Sequence, residues 1–516
     1  LRRSKVTDLM TRGFGYDPNS LTTKPLVFPE GSTQMDNAEF EQYSKSFTED
    51  RFLSVYMTGS YTYNNRYTFF GSLRYDGSNM FGVDRKYKYL PLWAVSGAWN
   101  INREAFLSDA DWLSDLKLRA SYGVQGNVDK DTSPLVVGEW DNTQVLPDNS
   151  ESNIIVSSPP NQYLRWEKTT NWNGGLDVAV LGNRIAFTAD VYRRVSDDLI
   201  GMRSLPGENG FDYSTMNWAK LTNRGYELSL STVNVKTKDF RWVMDFNLAH
   251  NKSKINRLNV RDNSYEPSRE GYSVGAVFSL KTAGLDENGL QMFYNKQGEK
   301  VSFNDFFGLE YGYMMGGLIP FLKSNLSAEE YRNLFTYEGT TEPKFTGGWI
   351  NRFYYKNFDL TVSASFVLDQ TVQEQPFYNP VQTSPGQNYS RRMSQIWSPD
   401  NTSGKYPRIM GTYTEGEENW AYQWLGMLDP GNSYRKYDYW FKKMSYMRIN
   451  SIRLGYTFPE RLLGHIGFSS ARISFEARNP FVFGSSYKGY FDPETYGNIY
   501  TQPLAKTFSC GIDLTF

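Results

Sequence analysis

Few residues of this chain have the types and spacing that catalysis or metal binding requires. The 516 residues contain two histidines, His250 and His465, and one cysteine, Cys510. Nucleophilic catalysis needs a nucleophile, a base and a group that orients the base, and zinc sites need several Cys or His ligands. We therefore expect no catalytic residue, no metal site, no cofactor and no enzymatic activity. Both histidines are predicted to be structural.

Two short acidic segments could be taken for cation sites, and turns explain both better. Asp286, Asn288 and Gly289 lack the acidic spacing and the terminal Glu of a twelve-residue calcium loop. Asp492 and Glu494 point the same way in an extended chain, without a base or metal partner. We predict a plain turn at the first segment and, at the second, a turn that pins the last hairpin loop.

Aromatic side chains in the long connections could do another kind of chemistry, the stacking of rings on sugar faces. Aromatic residues make up 16% of the chain, more than a soluble core needs. Trp420, Tyr422 and Trp424 would share one face if their segment were extended, and Tyr311 and Tyr313 alternate in the same way. We predict these five as ligand-binding candidates, with a pocket for a partner or plain loop packing as the alternatives.

Amphipathic β-strands are the elements that must position these residues. From Phe508 to Phe516, every second residue is apolar and the residues between are polar or small. Nine residues at ~3.3 Å each span about 30 Å, enough to cross a membrane when tilted. Matching the period of two predicts roughly fourteen such segments, among them 116–124, 185–192, 358–368 and 471–479. No run approaches the ~18 apolar residues of a transmembrane helix, which excludes a helical membrane protein.

The polar face of these strands carries charges of both signs. One such strand would also fit the edge of a soluble β-sandwich, but many of them favour an all-β fold, a transmembrane antiparallel β-barrel with one face toward lipid and the other toward a wet lumen. There the charges would hydrate a channel or hold a plug. The lumen-lining candidates are Arg74, Asp76, Lys117, Arg119, Asp190, Glu227, Asp245, Asp359, Arg453, Arg472, Glu476 and Asp513.

The connections between strands alternate in length. Short ones lie at 181–183 and 356–357, and long ones cover about 125–165, 196–218, 258–344 and 369–444. Short turns on one side and long loops on the other are typical of outer-membrane barrels. We predict an irregular loop over 1–50 that leads into the barrel, and barrel strands with long extracellular loops over 51–516. The net charge of −1 gives no reason to expect nucleic acid.

Several strings, in this order over about 70–516, resemble the SusC/RagA family of TonB-dependent outer-membrane transporters from Bacteroidetes. Each string alone is weak, and the ordered set is specific. They are RYDGSNMFG from Arg74, PLWAVSGAWN from Pro91, LKLRASYGVQGN from Leu116, LRWEKTTNWNGGLD from Leu164, DVYRRVSDDL from Asp190, NRGYE from Asn223, EPKFTGGWINRFYYKNFDL from Glu342, WSPDNTSGKYP from Trp397, YMRINSIRLGYTFP from Tyr446, ARNPF from Ala477 and GYFDPE from Gly489.

The resemblance implies an outer-membrane importer with part of a large, about 22-stranded barrel blocked by an N-terminal plug. It implies import of glycans or peptides captured with a SusD-like surface lipoprotein, energised by TonB–ExbB–ExbD through the plug, in contact with outer-membrane lipid. No plug, TonB box or early strands are recognisable in these residues. We therefore expect the plug and the N-terminal half of the barrel on a separate chain or on another part of the same protein. The alternative is a plugless pore or scaffold, for protein export or adhesion, without energised import.

Overall fold

One antiparallel sheet of fourteen strands dominates the computed structural model of the chain. The structure describes residues 1–20, 22–24, 43–80, 88–130, 132–146, 149–314, 319–411, 416–463, 467–484, 492–495 and 501–516. The strands of this sheet are β1 (Arg2–Thr11), β2 (Tyr43–Tyr63), β3 (Tyr67–Ser78), β4 (Tyr89–Asn100), β5 (Leu113–Asn127), β6 (Glu167–Val180), β7 (Ile185–Ser204), β8 (Tyr213–Lys236), β9 (Phe240–Arg257), β10 (Phe345–Tyr355), β11 (Phe358–Gln373), β12 (Phe441–Thr457), β13 (Ser470–Phe483) and β14 (Thr507–Thr515).

The strands follow one another in the sheet in chain order, without a crossover. Each strand therefore pairs with its neighbours in sequence, as in an up-and-down barrel wall. The predicted all-β antiparallel fold and the predicted number of strands are both confirmed. β1 and β14 form the two edges of the sheet.

The segment 1–50, predicted to be an irregular loop, contains part of the sheet. β1 pairs with β2 from Arg2 opposite Phe52 to Thr11 opposite Tyr43. A small hairpin, Phe14–Asp17 with Thr22–Lys24, follows β1. Sequence periodicity missed β1 because Leu9 and Met10 are adjacent and most of its other residues are polar. Backbone hydrogen bonds hold this strand, and they leave no side-chain pattern.

The long loop predicted for 196–218 is mostly strand. β7 continues to Ser204 and β8 begins at Tyr213, so only a short connection separates them. These strands have 20 and 24 residues, about twice the 9–11 residues that cross a membrane. Outside the membrane both faces of a strand can be polar, so the period of two disappears while the backbone pairing continues.

The pairing register separates an apolar face of the sheet from a polar one. Directly opposite residues of neighbouring strands point to the same face. Phe475 and Leu454 are opposite each other and remain 48% and 47% exposed. Exposed and partly exposed apolar side chains in a continuous row across strands are what a lipid-facing surface requires. The full row across six strands is Cys510, Phe475, Leu454, Leu360, Phe353 and Trp242.

The largest hydrophobic core lies in two long connections and not in the sheet. Residues 258–344 join β9 to β10, and residues 374–440 join β11 to β12. We call their shared packed unit the loop cap. Its buried core residues are Leu280, Leu290, Phe293, Phe303, Phe306, Phe307, Leu309, Leu322 and Tyr331 from the first connection, and Tyr378, Ile396, Met410, Ala421, Trp424, Tyr434, Tyr437 and Trp440 from the second.

Short elements build the connections. The helices are α1 (Phe303–Phe307), α2 (Ala328–Arg332), α3 (Glu417–Gln423) and, near β13, α4 (Glu460–Leu463). A π-helical turn, Trp424–Leu428, continues α3. The remaining strands are Val137–Leu146, Asn149–Ser158, Ala276–Ser279, Thr282–Leu285, Gln291–Tyr294, Lys300–Val301, Leu309–Met314, Ile319–Ser324 and Thr336–Thr340.

Candidate functional site

All twelve charged residues that we predicted for the lumen lie on the polar face of the sheet, opposite the apolar rows. The pairing register fixes this, because Asp190 is opposite Glu227 and Arg453 is opposite Glu476. Arg472 is opposite Asp513 in the same way. Together with the intervening pairs, the register connects the whole set across the sheet. This face therefore offers fixed charges of both signs along one surface.

Arg119 joins three strands on this face. Its Nε lies 2.7 Å from Asp177 Oδ2 and its Nη1 lies 3.1 Å from Asp190 Oδ1. Gly175 stands between Arg119 and Asp190 in the register. A Cβ there would lie 2.6 Å from both Arg119 Cζ and Asp190 Oδ1. A glycine is needed because the guanidinium crosses the strand at this point.

A second arginine crosses a glycine in the same way, on the same polar face but among the C-terminal strands. Arg472 Nη2 donates to Asp359 Oδ2 over a distance of 2.8 Å. The two residues belong to β13 and β11, and Gly455 of β12 lies between them. A Cβ at Gly455 would lie 2.6 Å from Asp359 Oδ1. The repeated arrangement indicates that this face is built around ion pairs that span three strands.

Hydrogen bonds tie the two connections of the loop cap together. The backbone N–H of Leu280 donates to the carbonyl of Lys436 at 2.8 Å, and the N–H of Asp438 donates to the carbonyl of Leu280 at 3.1 Å. Thr282 Oγ1 donates to Asp438 Oδ1 at 2.6 Å. The two connections therefore behave as one folded unit, with a shared core and shared backbone pairing.

Burial sets the ionisation of several groups in the loop cap. It raises the pKa of Tyr434 and Tyr437 well above the ordinary tyrosine value. It also raises the pKa of Glu418, although Arg408 Nη1 lies 3.2 Å from Glu418 Oε2. Both tyrosines stay protonated at neutral pH, so they serve the packing of the cap.

The segment with Trp420, Tyr422 and Trp424 is helical, which corrects the extended conformation that we assumed. Gly416 precedes α3, and Trp424 begins the π-helical turn. Trp424 is 4% exposed inside the core, so it cannot stack on a ligand from solvent. Trp420 and Tyr422 pack on the rim of the core. The sequence does contain a helix signal that the prediction missed. Two glutamates follow Gly416, and acidic residues are enriched in the first turn of helices.

Tyr311 and Trp420 come together at the surface of the loop cap. Their ring centroids are 4.6 Å apart in an edge-on arrangement, and Tyr311 is 46% exposed. Tyr313 lies two residues further along the strand Leu309–Met314, and its side chain is outside the described residues. Of the five predicted aromatics, these contacts leave Tyr311 and Trp420 as the pair with an accessible ring.

The two acidic segments form turns. Asp286 Oδ1 accepts from the backbone N–H groups of Asn288 and Leu290, at 2.9 and 2.7 Å. Arg448 of β12 is 2% exposed and bonds both Asp492 and Glu494, with 2.6 Å from its Nε to Glu494 Oε1. The missing basic partner of these two carboxylates was thus distant in sequence.

Of the two histidines and the cysteine, the structure describes His250 and Cys510. His250 Nδ1 lies 2.6 Å from the carbonyl oxygen of Lys344, and Cys510 is exposed on the apolar face. His465 lies outside the described residues. Within the part of the chain that the structure describes, no three His, Cys, Asp or Glu residues are grouped as a metal site would need.

Comparison with known proteins identifies the family. A model described as "TonB dependent receptor-like, beta-barrel" matches residues 5–311, more than half of the chain. The chain belongs to the TonB-dependent receptor barrel family. It is therefore an outer-membrane β-barrel chain, and its family is one of receptors and transporters rather than of enzymes. Across the described residues, the structure contains no helix that is both long and apolar enough to cross a membrane.

Named relatives confirm the resemblance to SusC and RagA. The chain is 28% identical over 507 residues to TonB-dependent receptor P3 of Formosa agariphila, covering 92% of this chain and 46% of the relative. It is 28% identical over 495 residues to TonB-dependent receptor SusC of Bacteroides thetaiotaomicron, covering 93% and 45%. The chain thus spans a little under half the length of these relatives.

A solved structure shares the fold. The RagAB peptide importer in its "closed-closed" state superposes with a TM-score of 0.73 at 22% identity, over 100% of this chain and 52% of that one. At this identity the likeness concerns the architecture of the barrel wall alone.

Proposed function

We propose that this chain forms barrel wall and outer loops of a SusC-type importer that moves glycans or peptides across the outer membrane. One observation carries the proposal: the same sheet has a charged polar face and a folded loop cap. The cap lies at the end of the strands with the long connections. A charged inner wall suits a hydrated passage or a plug interface. A folded cap suits the capture of a ligand outside the membrane.

In this proposal the wall does not move and other parts of the importer supply the energy. The twelve charged residues of the polar face line the lumen and hold or hydrate a plug. The plug and the N-terminal half of the barrel come from the rest of the protein or from a separate chain, and TonB–ExbB–ExbD acts through the plug. The fixed three-strand ion pairs of Arg119 and Arg472 support a static wall.

The loop cap is the proposed surface for cargo and for a SusD-like lipoprotein. The accessible pair Tyr311 and Trp420 offers one exposed ring with a second ring against its edge. Such a pair suits the apolar face of a sugar ring better than the polar amide groups of a peptide backbone. We therefore place glycans before peptides as cargo. The RagAB peptide importer shares the fold and is a different protein.

Purification from outer membranes in mild detergent tests this proposal. We expect a surface lipoprotein to co-purify and the complex to bind oligosaccharides from a defined panel more tightly than oligopeptides. The double variant Y311A/W420A should lose glycan binding about tenfold, as expected for two stacking side chains. The matched control Y63A/W112A removes two aromatics that are also exposed but lie outside the loop cap. A barrel that purifies without a lipoprotein and binds neither ligand class would favour a plugless pore or scaffold.

A further inference from the structure

Three cations lie directly opposite one another on three neighbouring strands. Arg193 of β7 is opposite Arg224 of β8, and Arg224 is opposite Lys252 of β9. Neighbouring strands are about 4.8 Å apart, so the three Cα atoms lie within about 10 Å. Two residues along, the same face carries Val191 and Tyr226. The cations therefore occupy the apolar, lipid-facing side of the sheet and not the polar face.

No anion of the described residues neutralises this group. The side chains of Arg193, Arg224 and Lys252 are exposed and form no ion pair within 4.0 Å with the described part of the chain. Like charges that face each other across strands destabilise a sheet. An anionic ligand at this position would remove that cost and gain charge-assisted hydrogen bonds.

Aromatic rings surround the three cations. Trp172 of β6 is opposite Arg193, and the rings of Tyr226 and His250 lie 5.2 Å apart, with Phe345 a further 5.2 Å from His250. Belts of aromatic residues mark the level where a barrel leaves the hydrocarbon and enters the headgroup region.

The position of the three cations along the strands agrees with the edge of the apolar band. The roughly 12 residues of β9 from Phe240 to Lys252 rise about 40 Å, or about 30 Å at a tilt near 40°, against an apolar band of about 25 Å. Lys252 therefore lies just beyond the apolar band, at the end of the sheet with the long connections.

A cavity of about 1120 Å³ opens beside the three cations. The pairing between β9 and β10 stops at Ala249, so the upper part of β9 has a free flank that residues 271–274 partly cover. Lys254 and Lys344 also line the cavity. Tyr272 and Tyr337 stack there with centroids 4.8 Å apart.

The acidic residues at the cavity bond to groups other than the three cations. Glu342 Oε2 accepts from Ser253 Oγ at 2.7 Å, and Glu338 Oε2 accepts from Lys281 Nζ at 2.6 Å. Asp369 Oδ1 lies 3.9 Å from Lys443 Nζ. The cations that face the lipid side therefore retain their charge for a ligand.

We propose that this outer-wall site binds the phosphorylated sugar headgroup of an outer-leaflet glycolipid of the lipid A class. Arg193, Arg224 and Lys252 would bind its phosphates, and the stacked tyrosines Tyr272 and Tyr337 would face its sugar rings. The acyl chains would then lie along the exposed apolar rows of the same strands. This site is on the outside of the barrel, so it is separate from the import path.

The test compares lipid binding to matched variants of the protein purified from outer membranes and delipidated by detergent exchange. R193Q/R224Q/K252Q removes the three charges. K236Q/K238Q/K356Q removes three exposed lysines at the short-turn end of the sheet. Native mass spectrometry follows titration with bis-phosphorylated lipid A, with lipid A whose phosphates have been removed, and with inorganic pyrophosphate.

We expect bis-phosphorylated lipid A to bind the wild type and the lysine control equally, and the triple variant at least about tenfold more weakly. Equal binding by the triple variant would overturn the proposal, and so would equal binding of the dephosphorylated lipid to the wild type. Binding of pyrophosphate but not of lipid A would assign the site to free anions instead. If the triple variant does not migrate as a folded barrel, R224Q alone replaces it, and an unchanged affinity of R224Q contradicts the site.

Discussion

At the scale of single residues, the charged side chains were predictable and the glycines beside them were not. The alternation of polar and apolar residues predicted Arg119, Asp190 and Asp359 on the polar face, because each has apolar neighbours in sequence. It could not predict that Arg119 crosses Gly175, since that contact joins strands far apart in sequence. The same limit applies to Arg448, whose two carboxylate partners lie more than 40 residues away.

Gly175 gives a direct test of the three-strand ion pairs. Gly175→Ala should displace the Arg119 guanidinium from Asp190 and destabilise the barrel by about 1 kcal/mol, the size of a partly exposed ion pair plus local overpacking. Gly174→Ala is the matched control, because a Cβ at Gly174 meets only Val191 Cγ2 at 3.7 Å. Urea titration of refolding into lipid vesicles measures both. Equal stability of the two variants would contradict the role given to Gly175.

Two buried tyrosines predict an alkaline limit for the loop cap. The pKa of Tyr434 and of Tyr437 is raised by burial in the folded state. Their contribution to stability is therefore complete below the unfolded pKa of about 10 and declines as the pH rises above it. Tyrosinate absorbance and hydrogen exchange between pH 8 and pH 11 should show the cap loosening before the sheet. Simultaneous loss of cap and sheet would contradict this order.

At the scale of elements, membrane-spanning parts of strands were predictable because lipid and lumen impose alternation. The alternation no longer predicts strands where they extend beyond the membrane. β7 and β8 continue beyond the membrane through residues that sequence reading assigned to a loop, and β1 pairs through its backbone with few apolar side chains. The helix α3 was missed because three alternating aromatics suggested an extended chain.

The assignment of faces to β13 can be tested with neighbouring residues. Phe475 is exposed on the apolar face, and Ser474 beside it points to the polar face. Phe475→Arg should destabilise the folded barrel by about 2–4 kcal/mol if the residue lies near the bilayer midplane. Ser474→Arg should change stability much less. Vesicle refolding in urea gives both values, and the reverse order would exchange the two faces of the sheet.

At the scale of the whole molecule, the loop cap is the feature that was not predicted from the sequence. The two connections were predicted to be long loops, but their common core depends on contacts between residues more than a hundred positions apart, such as Thr282 with Asp438. The dense aromatics of 434–441 are the signal that could have suggested a packed unit. The family resemblance, carried by ordered strings, predicted the barrel correctly.

Trp440 tests whether the cap folds as one unit. Its side chain is 0% exposed and its Nε1 donates to the carbonyl of Tyr434 at 2.9 Å. Trp440→Ala should cost about 3–5 kcal/mol and raise hydrogen exchange in both connections, 258–344 and 374–440, while the strands of the sheet keep their protection. Exchange confined to the second connection would show two independent loops.

Energised import is the central claim, and cargo uptake by living cells tests it most directly. Cells that produce the protein in its native outer membrane would be given a labelled oligosaccharide that the purified protein binds, with and without a protonophore and with and without TonB. The account predicts accumulation that stops when either the proton-motive force or TonB is removed. Accumulation that continues unchanged in both cases would contradict it and identify a passive pore.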